Sequence, residues 1–504
     1  MEPRSGFIYK VGFSGKKVRP FTNLREWLKR ELIRSKLDTE VGYLIFVAIA
    51  YLVGYLVATG GIVEGSLLAA GLVIFPTVIG ALFHPRFGIY LMVILAFLVP
   101  FVKRLVPALP MGISMDGIML VMLFGIYIKE SRFRERNWGP LIHPMSIGMA
   151  VWALYCLVHG LFFYSGQLEK LVIGFRTVAG FVPLYFLGLY VFRELSRVDR
   201  LLQIWLSMAG LAMGYGFLQQ IFGLAGWELA QVLERGPQAD IMVGLGEFRK
   251  FSFLNDPAIF GLTMGGSGLV AWVLSFDPEK KGSTAWWLRL LALGMWVSGF
   301  FSGTRTMAIG LVVAALFYAL LVLRAKGWLT FGGITAVIVA IMYLPVESPF
   351  VQRYRAVLTP WDTPSFVTRE TNQQALQPLI QAFPLGAGPG AVEQWTSGVS
   401  KDSPLWQYPP ESGFLILAVE RGWVGLGLFI GLLWLIFFVG ISRYAQVQDV
   451  RVQVRYEALL VFLAYLTATH FLQKTFTGLP LSILFFISAS LLLRMHTLPD
   501  QAEK

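Results

Sequence analysis

The sequence predicts an all-α polytopic membrane protein with about fourteen (12–14) spanning helices, both ends inside, and a large, partly helical outer loop. Three observations predict it. Charged residues make up only 14% of the chain and hydrophobic ones 56%, whereas a soluble domain needs roughly a quarter of its residues charged. Apolar runs long enough to cross hydrocarbon recur from residue 41 to residue 494. Lysine and arginine favour alternate connections, the bias that orients membrane helices.

Taken in order, residues 1–40 form a polar, basic arm (Lys16, Lys17, Arg19, Arg25, Lys29, Arg30, Arg34, Lys36). A secretory signal places its apolar stretch nearer the start. The first run therefore reads as an uncleaved span, and the arm stays inside. Phe21, Leu24, Trp27 and Leu28 suit the arm to an anionic lipid surface. Spans are expected at about 41–59, 62–83, 87–103, 113–129, 145–164, 172–192, 200–223, 257–276, 287–302, 305–324, 329–345, 413–439, 457–473 and 479–494. Residues 41–345 thus hold the first group of helices, with an outer loop at 224–256. A second outer loop fills 346–412, the last helices occupy 413–494, and 495–504 is an inside tail.

The inside connections 129–142, 193–199, 277–286, 324–328 and 440–456 carry Lys129, Arg132, Arg134, Arg136, Arg193, Arg197, Lys280, Lys281, Arg324, Lys326, Arg443, Arg451 and Arg455. About 28 of the 42 Lys and Arg residues then lie inside and about 14 outside. Losing one span inverts everything after it, so agreement at separate connections supports the register. In the second outer loop, Leu376, Leu379, Ile380 and Phe383 recur at helical spacing. Pro378 is expected to start, kink or interrupt that helix. Residues 383–390, Phe-Pro-Leu-Gly-Ala-Gly-Pro-Gly, read as turns, because Pro389 lacks the backbone donor a phosphate cradle needs.

Composition also excludes function classes. The net charge of +12 follows from basic residues that hold helix ends on one side, so no nucleic-acid partner is inferred. The single cysteine, Cys156, lies in an apolar run and permits no disulfide framework. No phosphate-binding GxxxxGK[ST] loop and no zinc spacing occurs, so neither metal nor cofactor is implied.

The chemical candidates are outer positive charges, which the inside bias should deplete. Arg305, in Ser302-Gly303-Thr304-Arg305-Thr306, opens a span at its outer start. A helix N-terminus disfavours a cation, and the two together make an anion site; the alternative is an arginine snorkelling to lipid phosphate. Arg176 lies a turn inside the run 172–192, with snorkelling and ligand binding both open. Arg249 and Lys250 precede Phe251-Ser252-Phe253-Leu254-Asn255-Asp256-Pro257. There Asp256 reads as the cap of a helix beginning at Pro257, and Arg249 stays open. Arg369 opens the loop helix, either as a solvated charge or as an anion ligand. Glu411 enters the span that follows, where the helix dipole also favours a carboxylate structurally; Glu420 and Arg421 lie further along it. The two large outer loops contain no histidine. A general base there is a carboxylate, or else His159 or His470 near outer helix ends.

Several stretches resemble the O-antigen ligase/polymerase family of bacterial membrane glycosyltransferases. They are Phe175-Arg176 leading into Leu184–Tyr190, Arg249 with Phe251-Ser252-Phe253 and Asp256-Pro257 before Phe260-Gly261, and Ser302-Gly303-Thr304-Arg305. Arg369 ahead of Pro384–Gly390 and Leu415 through Glu420-Arg421-Gly422-Trp423-Val424-Gly425 complete the set, which spans about 170–430. The resemblance implies a multi-pass protein of the bacterial inner membrane with both termini cytoplasmic. It implies a glycan donor on undecaprenyl diphosphate, transferred on the periplasmic face with inversion and without metal or cofactor. Membrane lipids and other polysaccharide-assembly proteins are the implied partners. For such a transfer, guanidinium chemistry points to Arg305 and Arg369 for the diphosphate, with Arg176 and Arg249 as helpers, and Glu411 is the candidate catalytic base. Ligases of this family usually carry His-Asn where Glu411-Ser412 stands. That favours a polymerase of O-antigen or exopolysaccharide repeat units over a ligase joining finished glycan to lipid A-core or protein. A lipid-glycan or anion transporter is the rival from another class. It should show repeated halves and broken helices at mid-membrane, and the sequence displays neither. An inactive scaffold in an assembly complex is a further alternative.

Overall fold

The computed structural model describes residues 75–106, 111–133, 141–164, 168–234, 243–244, 247–280, 282–343, 345, 349–355, 364–392, 408 and 410–498, with isolated positions between 44 and 55. Met1–Ile79 and Gly80–Lys504 are separate compact units; the fold below is that of the second. The arm 1–40 and most of the runs 41–59 and 62–83 lie outside the described residues, as do parts of both outer loops and the last residues of the tail.

From 87–103 onward, every expected run falls on a helix. These are α1 (Pro85–Leu105), α2 (Met111–Phe133), α3 (Pro144–Phe163), the pair α4 (Leu168–Ala179) and α5 (Val182–Val191), and α6 (Leu195–Phe222). After a short α7 (Gly226–Glu234) come α8 (Pro257–Leu274), α9 (Ser283–Phe300), α10 (Arg305–Val322) and α11 (Ala325–Tyr343). The loop helices α12 (Pro349–Arg355) and α13 (Pro364–Ala382) precede α14 (Gly413–Gln446), α15 (Val450–Leu472) and α16 (Leu481–Arg494). Among the described residues the protein is all-helical apart from a two-residue antiparallel ladder, Val243–Gly244 with Glu247–Phe248. Among the described residues, 7 helices are long and apolar enough to cross a membrane, or 8 with α4–α5 counted as one span. The apolar stretches of α2 and α16 are shorter.

Local chemistry sets the boundaries. Proline stands in the first turn of α1, α3, α5 and α8, where its missing N–H costs nothing. Asp256 caps α8 as expected, its Oδ1 accepting from the Ile259 N–H at 2.9 Å. Among the described helices long and apolar enough to cross a membrane, α8 is the most enclosed, 89% buried. Its small residues admit neighbours closely: a side chain at Gly266 would meet Phe462 of α15, and one at Gly268 would meet Trp296 of α9.

The two ends of the bundle differ. At one, Arg455 pairs with Asp199 (2.7 Å) and Asp277 (3.1 Å), Arg451 with Glu279 (2.8 Å), and Lys326 with Glu457 (2.8 Å). This is the end the sequence assigns to the inside. The candidate site groups lie at the other.

Three local results refine the sequence reading. The loop helix exists, and its buried Leu376 and Ile380 join a small cluster with Ile416 and Val419 of α14. Pro378 lies inside that helix and does not interrupt it. So close to the helix end it removes one donor, while burial of its neighbours holds the last turn. Broken helices, which the sequence did not display, are present. The run 172–192 bends by 51° between α4 and α5, where Pro183 cannot donate. Helix α14 is broken at Gly422 (φ 67°, ψ −172°), backbone that only glycine adopts readily.

Candidate active site

Arg305 is the first residue of α10, as the sequence placed it. Its N-cap, Thr304, makes no side-chain cap bond, because that hydroxyl is engaged elsewhere. It donates to the Pro257 carbonyl at 3.2 Å and accepts from Arg249 Nη2 at 3.1 Å. Half-buried Arg305 feels the charges of Arg369 and Glu411 and the Tyr354 hydroxyl. Arg369, in the first half of α13, donates from Nε to Glu411 Oε2 at 2.5 Å. Both side chains of that pair stay partly open to solvent, 35% and 47% exposed. Glu411 immediately precedes Ser412, whose hydroxyl caps α14 by accepting from the Leu415 N–H at 3.5 Å. Three of the residues singled out from sequence therefore converge from separate elements: two guanidiniums and one carboxylate at an accessible helix N-terminus.

Arg249 stands behind this group. Its Nε donates to the Ser302 carbonyl at 2.7 Å and its Nη2 to Thr304, so it grips the turn from which Arg305 emerges. The segment carrying Arg249 is held by a buried polar network that sequence reasoning missed. Arg104 of α1 pairs with Glu228 of α7 at 3.3 Å and donates to the Ser252 carbonyl at 3.0 Å. Gln219 of α6 donates to both Glu228 oxygens at 3.1 Å and accepts from the Ser252 N–H at 2.8 Å. Ser252 is held at φ 54°, strained for a residue other than glycine. Arg104 and Glu228 fall at outer helix ends, where an isolated opposite-charge couple was the available signal.

Arg176 forms its ion pair elsewhere, with Asp116 of α2 at 2.8 Å. Asp116 was likewise legible as an acid inside an apolar run, and it anchors α4 to α2.

The glycine-rich turn and the Glu-Arg-Gly stretch interlock. At the break in α14, Ala387 N–H donates to the Val419 carbonyl at 2.7 Å and Gly388 N–H to that of Glu420 at 3.2 Å. The Trp423 N–H donates to Pro384 at 2.8 Å. The turn reading of 383–390 is thus correct: its N–H groups complete a helix break. Arg421 is fully buried and donates to the carbonyls of Cys156 (3.3 Å) and Gly174 (2.6 Å), binding α14 to α3 and α4. His159 also serves this assembly, its Nε2 lying 2.6 Å from the Leu385 carbonyl.

Among the described residues no three His, Cys, Asp or Glu side chains gather as a metal would require. The family model that matches the chain is described as O-antigen ligase and covers residues 290–430. That stretch runs from α9 through Arg305, Arg369 and Glu411 to the break in α14. A search of curated proteins gives no match.

Proposed function

We propose that this chain, a member of the O-antigen ligase/polymerase family, polymerises lipid-linked repeat units by inverting transfer. The family itself indicates glycosyl transfer of the ligase or polymerase type, on lipid-linked glycans, by an integral membrane protein. The finer reading rests on one observation: Arg369 and Glu411 are joined at 2.5 Å within the electrostatic reach of Arg305.

An undecaprenyl diphosphate entering at the N-terminus of α10 meets Arg305 and Arg369. Guanidiniums suit it because they stay charged and bind phosphate oxygens in pairs. The incoming anion competes with Glu411 for Arg369, so donor binding releases the carboxylate. Glu411 then takes the proton of an acceptor hydroxyl whose oxygen attacks the anomeric carbon. The new bond forms from that oxygen to the anomeric carbon. The bond from that carbon to the diphosphate oxygen breaks, and the lipid diphosphate leaves as an anion against the arginines. Arg249 supports this by fixing the Ser302–Thr304 turn, and Arg176 helps through α4. The Arg305 end faces the periplasm of the inner membrane, the chain needs no metal, and glycan-assembly proteins are its partners.

Glu411-Ser412, in place of the His-Asn of ligases, supports polymerase over ligase. The breaks in α4–α5 and α14 supply the one feature expected of a transporter. Yet the backbone groups freed at Gly422 are met by the 384–388 backbone, which disfavours that reading. The test is cellular: Arg305→Ala and Arg369→Ala should each leave single repeat units on glycan gels. Full polymer length in both would sink the mechanism; chains of normal length left unattached would indicate a ligase.

A further inference from the structure

A second polar pocket opens beside the α14 N-terminus, and the mechanism above does not use it. It is lined by Thr177 of α4, Gly413 and Glu420 of α14, and His470, Lys474 and Phe476 at the end of α15 and beyond. Further phenylalanines make its walls largely apolar. Gly413 is two residues from Glu411.

His470 is the informative member. It is 2% exposed. Its Nδ1 accepts from the Thr475 N–H at 3.1 Å and from that of Phe476 at 3.4 Å. A nitrogen that accepts carries no proton, so the ring proton sits on Nε2. That Nε2–H is buried and has no hydrogen-bond partner. Leaving such a donor unmet costs stability, so a buried donor at a pocket calls for a partner there. The free space in the pocket is about 20 Å³, room for one water-sized group. The His470 Nε2–H, the Lys474 side chain and Glu420, whose Oε1 also accepts from the Val392 N–H at 3.3 Å, share it between aromatic walls, and a neutral donor with a carboxylate is complementary to a hydroxyl, which accepts from one and donates to the other.

We propose that this pocket is an acceptor subsite that seats one hydroxyl of the acceptor sugar between His470 Nε2–H and Glu420, with the sugar ring at its mouth. The inference rests on the glycan-transfer reading and names the part of the site that reading leaves open. The pocket fixes which face of the sugar turns toward Glu411.

The test uses the full chain in lipid nanodiscs and the lipid-free repeat-unit oligosaccharide released from the cell's own lipid-linked pool, with calorimetric binding as readout. His470→Asn retains an acceptor for the Thr475 and Phe476 amides and removes only the Nε2–H. It should weaken oligosaccharide binding about tenfold, the loss of one good hydrogen bond, and Glu420→Gln should do the same. Inorganic pyrophosphate binding should be unchanged in both variants. Unaltered oligosaccharide affinity in His470→Asn overturns the proposal, as does a loss confined to pyrophosphate or a wild type that binds no oligosaccharide. His470-dependent binding in a protein that fails to extend glycan leaves the subsite standing and sinks only the polymerase assignment.

Discussion

Gly422→Ala isolates the contribution of the helix break. At φ 67° and ψ −172° the backbone lies where a residue with a Cβ is strained by about 1–3 kcal/mol. That Cβ would also fall 1.9 Å from the Pro384 carbonyl oxygen and 2.6 Å from the Gly386 nitrogen. Both are backbone atoms, so no side chain can rotate away. Relief requires moving the 384–388 turn off α14, which breaks the three hydrogen bonds across the break, each worth about 1 kcal/mol. The sum is about 4–6 kcal/mol, a large part of the roughly 5–15 kcal/mol that holds a typical domain folded. Gly427, on the same helix, has nothing within 4 Å of a built Cβ, so Gly427→Ala is the matched control. Thermal unfolding of purified protein in detergent, with glycan length in cells, reads both. Gly422→Ala should lower the unfolding midpoint and shorten the glycan, and Gly427→Ala should do neither. Equal midpoints and equal glycan lengths would show that the 384–388 turn does not depend on the break.

Other outcomes follow from the same geometry. The half-exposed Arg369–Glu411 pair should contribute little to folding, on the order of 1 kcal/mol or less. In a double-mutant cycle of Arg369→Ala and Glu411→Gln the unfolding midpoint should hardly move, while transfer falls at least tenfold in each single variant. The Arg104–Glu228 pair is different: its side chains are 6% and 0% exposed. Glu228→Gln, measured by thermal unfolding, should destabilise by about 3 kcal/mol or more because it leaves a buried guanidinium unpaired. Arg249→Ala frees the Ser302–Thr304 turn and should raise the KM for lipid-linked donor in proteoliposomes. Transfer there should survive a chelator; loss of activity restored by a divalent cation would refute the metal-free mechanism.

What the sequence made legible was governed by range. Spans and their ends follow from runs of apolar residues and from caps a few positions away, so α8, with Asp256 and Pro257, emerged correctly. Arg305, Arg369 and Glu411 were visible because each is a charge at an apolar boundary. Their convergence was not visible, since Arg369 and Glu411 lie 42 residues apart and no local pattern encodes the approach. The bend near Pro183 and the break at Gly422 were missed because apolar composition continues across both. Helix breaks there depend on outside partners for the freed backbone groups, and those partners come from distant segments. Gln219 and Glu228 were missed for the same reason: their roles exist only through Ser252 and Arg104.

The turn laid across the break in α14 bears on how such proteins can be re-engineered. Residues 384–388 and 419–423 complete each other's backbone, so neither is a self-contained cassette. A chimera that grafts the corresponding 346–412 loop of a relative onto this scaffold while retaining the native entry to α14 would mismatch the two halves of one hydrogen-bonded joint. Exchange of glycan preference between relatives therefore calls for moving the stretch from α13 through Gly425 as a single block.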